Sequence, residues 1–125
     1  MSTFEIEHIN ITVSNNETFA QSLVSLFGWK VFWQGRGMEG TSILVGSGST
    51  YIALYTPDYI LAEAVPMYKN DASINHIGVV TDNLDDARSV VLNNGFTIHT
   101  EVELPPTKRL YFFIQGVDIE VTQYI

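Results

Sequence analysis

Three side chains in this 125-residue sequence share the chemistry of divalent-metal ligands and sit at related places. His8 opens the stretch His8-Ile9-Asn10-Ile11-Thr12, and His76 opens His76-Ile77-Gly78-Val79-Val80 about 68 residues later. Glu120 lies between Ile119 and Val121 near the C-terminus. A carboxylate set among aliphatic residues is costly to bury without a partner. One explanation covers all three: two imidazoles and one carboxylate converge on a divalent ion. Such a set matches the facial arrangement used by non-haem iron and also suits manganese, zinc or nickel. Open positions on the ion would admit water and a substrate that offers two oxygens. The alternatives are two partly buried histidines with ordinary hydrogen bonds and an edge-strand glutamate reaching water.

The elements that must position these residues repeat. Phe4 to Val13 alternates, with Ile9, Ile11 and Val13 on one face and His8, Asn10 and Thr12 on the other, which predicts a strand. Ser14-Asn15-Asn16 supplies cap chemistry, Phe19, Leu23, Leu26 and Phe27 follow at helical spacing, and Gly28 is placed to stop the helix. Strands are expected over Trp29 to Gln34, Thr41 to Val45 and Ser49 to Tyr55. The second half repeats this order: a strand from Ile74 to Val80, a helix capped by Asp82-Asn83 with Leu84, Ala87, Val90 and Val91 inward, then strands at Phe96 to Val102, Leu110 to Ile114 and Val117 to Thr122. Gln115-Gly116 reads as a hairpin turn. The reading is an α+β chain of paired βαβββ modules, residues 1–56 and 74–125, forming a curved mixed sheet around a cavity, with a linker at 57–73 that carries a weak helical turn at Ile60 to Val65.

Composition narrows the function classes. Fourteen acidic against six basic residues give a net charge of -8, which argues against nucleic acid as a partner. The chain has no cysteine, so disulfides, a cysteine nucleophile and thiolate metal sites are excluded. No apolar run is long enough to span a membrane, and Met1 to Glu5 lacks signal-peptide character, so a cytoplasmic location is expected.

Other residues share faces with the proposed ligands. Asn10, Thr12, Tyr51, Tyr55 and Gly78 would wall the site, and Tyr51 or Tyr111 would orient a substrate. Phe32 and Trp33 are consecutive on a strand, so one of them, here taken as Trp33, should meet the cavity. Lys108 and Arg109 form the strongest basic feature and would receive a substrate carboxylate or phosphonate. The stretch Gly35 to Gly40 reads as a mobile rim. His99 reads as a surface or rim residue. By the repeat, Ala53 is the counterpart of Glu120 and cannot ligate.

This pattern resembles the vicinal oxygen chelate superfamily of glyoxalases, type I extradiol dioxygenases, fosfomycin-resistance proteins and bleomycin-binding proteins. The resemblance rests on the paired modules with His8, His76 and Glu120, and it covers nearly the whole chain. It implies a metal cavity built from paired modules and, as in many short members, a homodimer. A small-molecule substrate or ligand is implied as partner. Ala53 stands where the glyoxalase pattern has a fourth ligand or base, which counts against proton shuttling on a hemithioacetal. Ile114-Gln115-Gly116-Val117-Asp118 replaces the family's Asp-Pro-Asp-Gly turn. Two functions follow: a metal-dependent lyase, isomerase or dioxygenase-like enzyme on a small oxygen-rich substrate, or a non-catalytic drug- or metabolite-binding protein.

Overall fold

A computed structural model describes residues 5–59 and 74–125. The chain divides into two units, Met1–Ala62 and Glu63–Ile125. The weak helical turn at Ile60 to Val65 lies outside the described residues.

In the first unit the order is β1 (His8–Thr12), α1 (Asn16–Phe27), β2 (Lys30–Gly37), β3 (Gly40–Gly46) and β4 (Tyr51–Pro57). The sheet order is β1-β4-β3-β2. β1 and β4 run parallel and the other pairs antiparallel, because parallel strands need a long crossover and antiparallel neighbours can be joined by tight turns. α1 starts where the Asn15 side chain accepts from the Thr18 N–H at 3.1 Å. It ends at Gly28, whose φ of 69° is left-handed and whose N–H reaches the Val24 carbonyl at 2.9 Å. Phe19, Ala20, Leu23 and Leu26 are buried on one helix face, and the sheet contributes Ile43, Val45, Ile52 and Leu54 to the same core. Asn16, also buried, ties helix to sheet by donating to the carbonyls of Leu54 at 3.1 Å and Thr41 at 2.9 Å.

The second unit repeats this: β5 (His76–Val80), α2 (Leu84–Asn93), β6 (Ile98–Leu104), β7 (Thr107–Ile114) and β8 (Val117–Tyr124), with sheet order β5-β8-β7-β6. Asn83 caps α2 by accepting from the Asp86 N–H at 3.1 Å. Only Leu84 and Val91 of this helix are buried; Ala87 and Val90 are partly exposed. Leu110, Phe112, Ile119 and Val121 complete the core. The expected α+β architecture of paired βαβββ modules is thus present, as two four-stranded mixed sheets.

Three local expectations change. Gly35 to Gly37 continue β2, paired with Ser42, Thr41 and Gly40. The proposed rim is therefore a hairpin, turned at Met38 and Glu39 with φ of 55° and 58°, the paired left-handed residues of a tight hairpin turn. Arg36 braces it through two hydrogen bonds to Asp58, at 2.8 and 2.7 Å. β7 begins at Thr107, so Lys108 and Arg109 lie within the strand. Finally, each unit has a β-bulge at the same place, between Val31 and Trp33 in β2 and between Ile98 and Thr100 in β6. An extra residue in one strand shifts the alternation of all that precedes it.

Candidate functional site

In the second unit, rungs of the sheet bring the chemistry together. Gly78 pairs with Glu120, Glu120 with Tyr111, and Tyr111 with Thr100. One rung further, His76 pairs with Asp118 and Asp118 with Phe113. Side chains two apart along a strand share a face, so these residues and Arg109 stand on the side opposite α2.

Glu120 is the centre of this face. Its carboxylate accepts from the Tyr111 hydroxyl at 2.7 Å and the Thr122 hydroxyl at 2.9 Å, and lies 3.6 Å from His76 Nε2. Burial pushes its pKa up, but the two hydroxyl donors, His76 and Arg109 outweigh this and hold it below the ordinary glutamate value. Tyr111 moves the other way: burial and the Glu120 carboxylate raise its phenol above the usual range, so it stays a donor. Arg109, hydrogen-bonded through Nε to Thr107 at 3.1 Å, has its pKa raised by Tyr111 and then by Glu120. A side chain at Gly78 would begin 3.8 Å from Glu120 Oε1, so glycine leaves the space beside the carboxylate open.

His76 is oriented from behind. Its Nδ1 lies 2.7 Å from Asn75 Oδ1, and its Nε2 faces the Glu120 carboxylate. A fixed Nδ1–H with a free Nε2 is the usual preparation of a metal-binding imidazole.

The first unit repeats that preparation at His8, whose Nδ1 donates to Glu7 Oε1 at 2.8 Å. Glu7 also accepts from the Tyr51 hydroxyl at 3.2 Å, and the His8 ring stacks on Tyr51 with centroids 4.9 Å apart and planes 10° from parallel. Phe32 meets Tyr51 edge-on at 6.1 Å. Trp33 pairs with Leu44, Leu44 with Ala53, and Ala53 with Asn10. The β2 bulge therefore puts both Phe32 and Trp33 on the His8 face, where alternation alone assigns them to opposite faces. Both are about half exposed, and the Trp33 ring lies over Gly35, where a Cβ would come within 2.7 Å of it. The register confirms Ala53 as the counterpart of Glu120: each pairs with the residue two after its histidine.

Two expected binding residues make contacts of their own. Tyr55 packs over Gly40 and donates its hydroxyl to the Met38 carbonyl, at the hairpin turn. Lys108 precedes Arg109 in β7, so its side chain takes the face of Leu110 and Phe112, towards α2, and it lies 3.9 Å from Glu103. A groove of about 540 Å³ beside the start of α2 is lined by Asp85, Arg88, Glu101, Lys108 and Arg109. Arg88 there is bonded to Asp85 and Glu101, and Tyr111 and Glu120 take no part in it.

The structure also adds residues that strand alternation could not supply. The β6 bulge turns His99 onto the same face as Glu120, where its Nε2 donates to Asp118 at 2.9 Å. Asp118 is 2% exposed. Its carboxylate between Val117 and Ile119 was the one available sequence signal. Among the described residues no group of three or more histidine, aspartate or glutamate side chains is clustered as a metal site. The pair His76 and Glu120 lies within one unit, and His8 lies in the other.

Comparison with known proteins agrees with the fold and the repeated geometry. A family model described as the Glyoxalase/Bleomycin resistance protein/Dioxygenase superfamily matches residues 5–120. The chain belongs to that superfamily. A glyoxylase/bleomycin resistance protein/dioxygenase domain from Frankia sp. EAN1pec is similar at 18% identity and a TM-score of 0.85, covering 99% of this chain and 94% of that one. TnmS3, an antibiotic binding protein from Streptomyces sp. CB03234, is similar at 17% identity and a TM-score of 0.74, covering 100% and 99%. A mutant of the fosfomycin resistance protein FosX from Listeria monocytogenes, complexed with Mn(II) and 1S,2S-dihydroxypropylphosphonic acid, is similar at 13% identity and a TM-score of 0.72, covering 96% and 92%. No curated protein matches the sequence. No helix among the described residues is long and apolar enough to cross a membrane.

Proposed function

We propose that this protein is a divalent-metal-dependent enzyme acting on a small, oxygen-rich substrate that chelates through neighbouring oxygens. His8, His76 and Glu120 would hold the metal, with iron, manganese, zinc or nickel all compatible with the donor set. The observation that carries the reading is the duplicated orientation of the imidazoles: Nδ1 of each is engaged by the preceding side chain, Glu7 or Asn75, and Nε2 of His76 lies 3.6 Å from Glu120. The donor set fits a hard-to-borderline ion. When bound, the metal supplies Lewis-acid stabilisation of negative charge developing on a substrate oxygen.

The chain's own residues do the rest. Arg109 receives an anionic substrate group such as a carboxylate or phosphonate. Tyr111 and Tyr51 keep their protons, since burial and a neighbouring carboxylate raise both phenols, and they act as donors that orient substrate oxygens rather than as bases. Asn10 and Trp33 line the face of His8. The protein works as a homodimer in the cytoplasm under this reading. The superfamily's Mn(II)-bound FosX complex supports metal use in this fold.

A second reading has its own observation. Phe32, edge-on to Tyr51, and Trp33 stand half-exposed on one face, and Ala53 stands there where the second unit has a carboxylate. Such an aromatic wall suits sequestration of a planar ligand, as a non-catalytic binding protein would do. Metal analysis of protein purified without chelator separates the two. Stoichiometric divalent metal in wild type that is lost in His76→Ala supports the enzyme. Metal-free wild type with stability equal to that of His76→Ala overturns it in favour of the binding protein.

A further inference from the structure

His99 belongs to a hydrogen-bonded chain that the metal reading does not use. Asp118 Oδ1 accepts from His99 Nε2 at 2.9 Å, and His99 Nδ1 lies 2.8 Å from Thr100 Oγ1. Because the carboxylate takes the Nε2–H, Nδ1 is the basic nitrogen and accepts the Thr100 hydroxyl proton. The Asp118 side chain is 3% exposed and that of His99 32%, while Thr100 is exposed. The chain thus runs from a buried carboxyl group to a hydroxyl facing solvent. The imidazole is held in plane by stacking on Phe113, with centroids 4.6 Å apart, and by Tyr111 at 5.9 Å. The β6 bulge makes this possible, since it lets His99 and Thr100 serve the same side of the sheet.

We propose that Asp118, His99 and Thr100 form a metal-independent nucleophilic site that accepts acyl groups from small esters with good leaving groups. A carboxylate, an imidazole and a hydroxyl in this order are the parts of an activated nucleophile. Thr100 Oγ1 bonds to the ester carbonyl carbon and gives its proton to His99 Nδ1. The ester C–O bond then breaks, and the leaving oxygen takes that proton. Water next attacks the acyl carbon, passes a proton to Nδ1, and Thr100 Oγ1 departs with it. Asp118 Oδ1 holds the imidazole in position by accepting from Nε2–H. The net change is ester plus water to acid plus alcohol, with no redox partner.

The test is hydrolysis of p-nitrophenyl acetate by the full chain after EDTA treatment, with mass spectrometry of the peptide containing Thr100. The expected result is turnover that persists in EDTA, with one acetyl group trapped on Thr100. Thr100→Ser should retain turnover, and Thr100→Val and His99→Gln should each lose about 10²-fold. Valine suits an exposed strand position as well as threonine does, and circular dichroism confirms that each variant folds. Wild-type turnover in Thr100→Val, acetylation confined to other residues, loss of turnover in EDTA, or no turnover above the background rate would each overturn the proposal. The EDTA arm keeps this outcome independent of the metal reading.

Discussion

The two units have the same ladders and different surface chemistry. The rung Trp33, Leu44, Ala53, Asn10 of the first unit corresponds to Thr100, Tyr111, Glu120, Gly78 of the second. On the next rung Tyr51 beside His8 corresponds to Asp118 beside His76, and the bulged residue is Phe32 in one and His99 in the other. Beside His8 the first face carries Tyr51, Phe32, Trp33 and Ala53, where the second carries Asp118, His99, Thr100 and Glu120 beside His76. The backbone supplies equivalent positions, and the chemistry is decided residue by residue on them. Even the shared theme of histidine, tyrosine and carboxylate is met by different positions: Glu7 precedes its histidine on the chain, whereas Glu120 comes from the last strand. Equivalent backbone positions thus carry a largely aromatic face in the first unit and a charge-bearing face in the second.

The sharpest break in the likeness should come from the helices. Phe19 in α1 is fully buried, and its replacement by alanine should cost about 3–5 kcal/mol in urea unfolding. Val91→Ala in α2 should cost about 2 kcal/mol, because it removes two buried methyl groups from a helix with fewer buried residues. Equal costs would show that the two helices anchor their sheets alike. The caps should behave identically instead. Asn15→Ala and Asn83→Ala should each lose about 1 kcal/mol by the same measurement, since both accept one backbone N–H at 3.1 Å.

The smallest effect concerns protonation. Glu120 is held below its ordinary value of 4.5 in the fold. Its contribution to stability is therefore present above pH 4.5 and is lost as the pH falls through the depressed folded value. Tyr111→Phe removes a donor to the carboxylate, so a carboxyl NMR titration should show the Glu120 midpoint rise and the acid-dependent stability loss become shallower. Tyr51→Phe should raise the Glu7 midpoint less, because His8 is the larger cause of its lowering and Tyr51 the second. A larger shift at Glu7 would reverse the ranking of the two faces.

Much of this was readable beforehand because it is local. Asn15, Gly28 and Asn83 announce helix ends by backbone chemistry that neighbouring residues satisfy. Strand alternation set His8 with Asn10, and Glu120 opposite Ile119 and Val121, and the repeat order paired Ala53 with Glu120. Alternation failed where its period was interrupted. Phe32 and Trp33 share a face, and His99 reaches Asp118, because each bulge adds a residue that no local pattern marks. Lys108 was separable from Arg109 by alternation once β7 was known to start at Thr107.

The chain order by itself determined the two βαβββ modules, the helix boundaries and the candidate ligands, since these depend on periodicity and capping over a few residues. Only the tertiary structure decided what each candidate touches. Tyr111 meets Glu120 from nine residues away, Tyr51 meets Glu7 from forty-four away, and His99 meets Asp118 from nineteen away. Those meetings depend on strand register across the sheet, which is set by the packing of whole elements rather than by any short stretch of sequence.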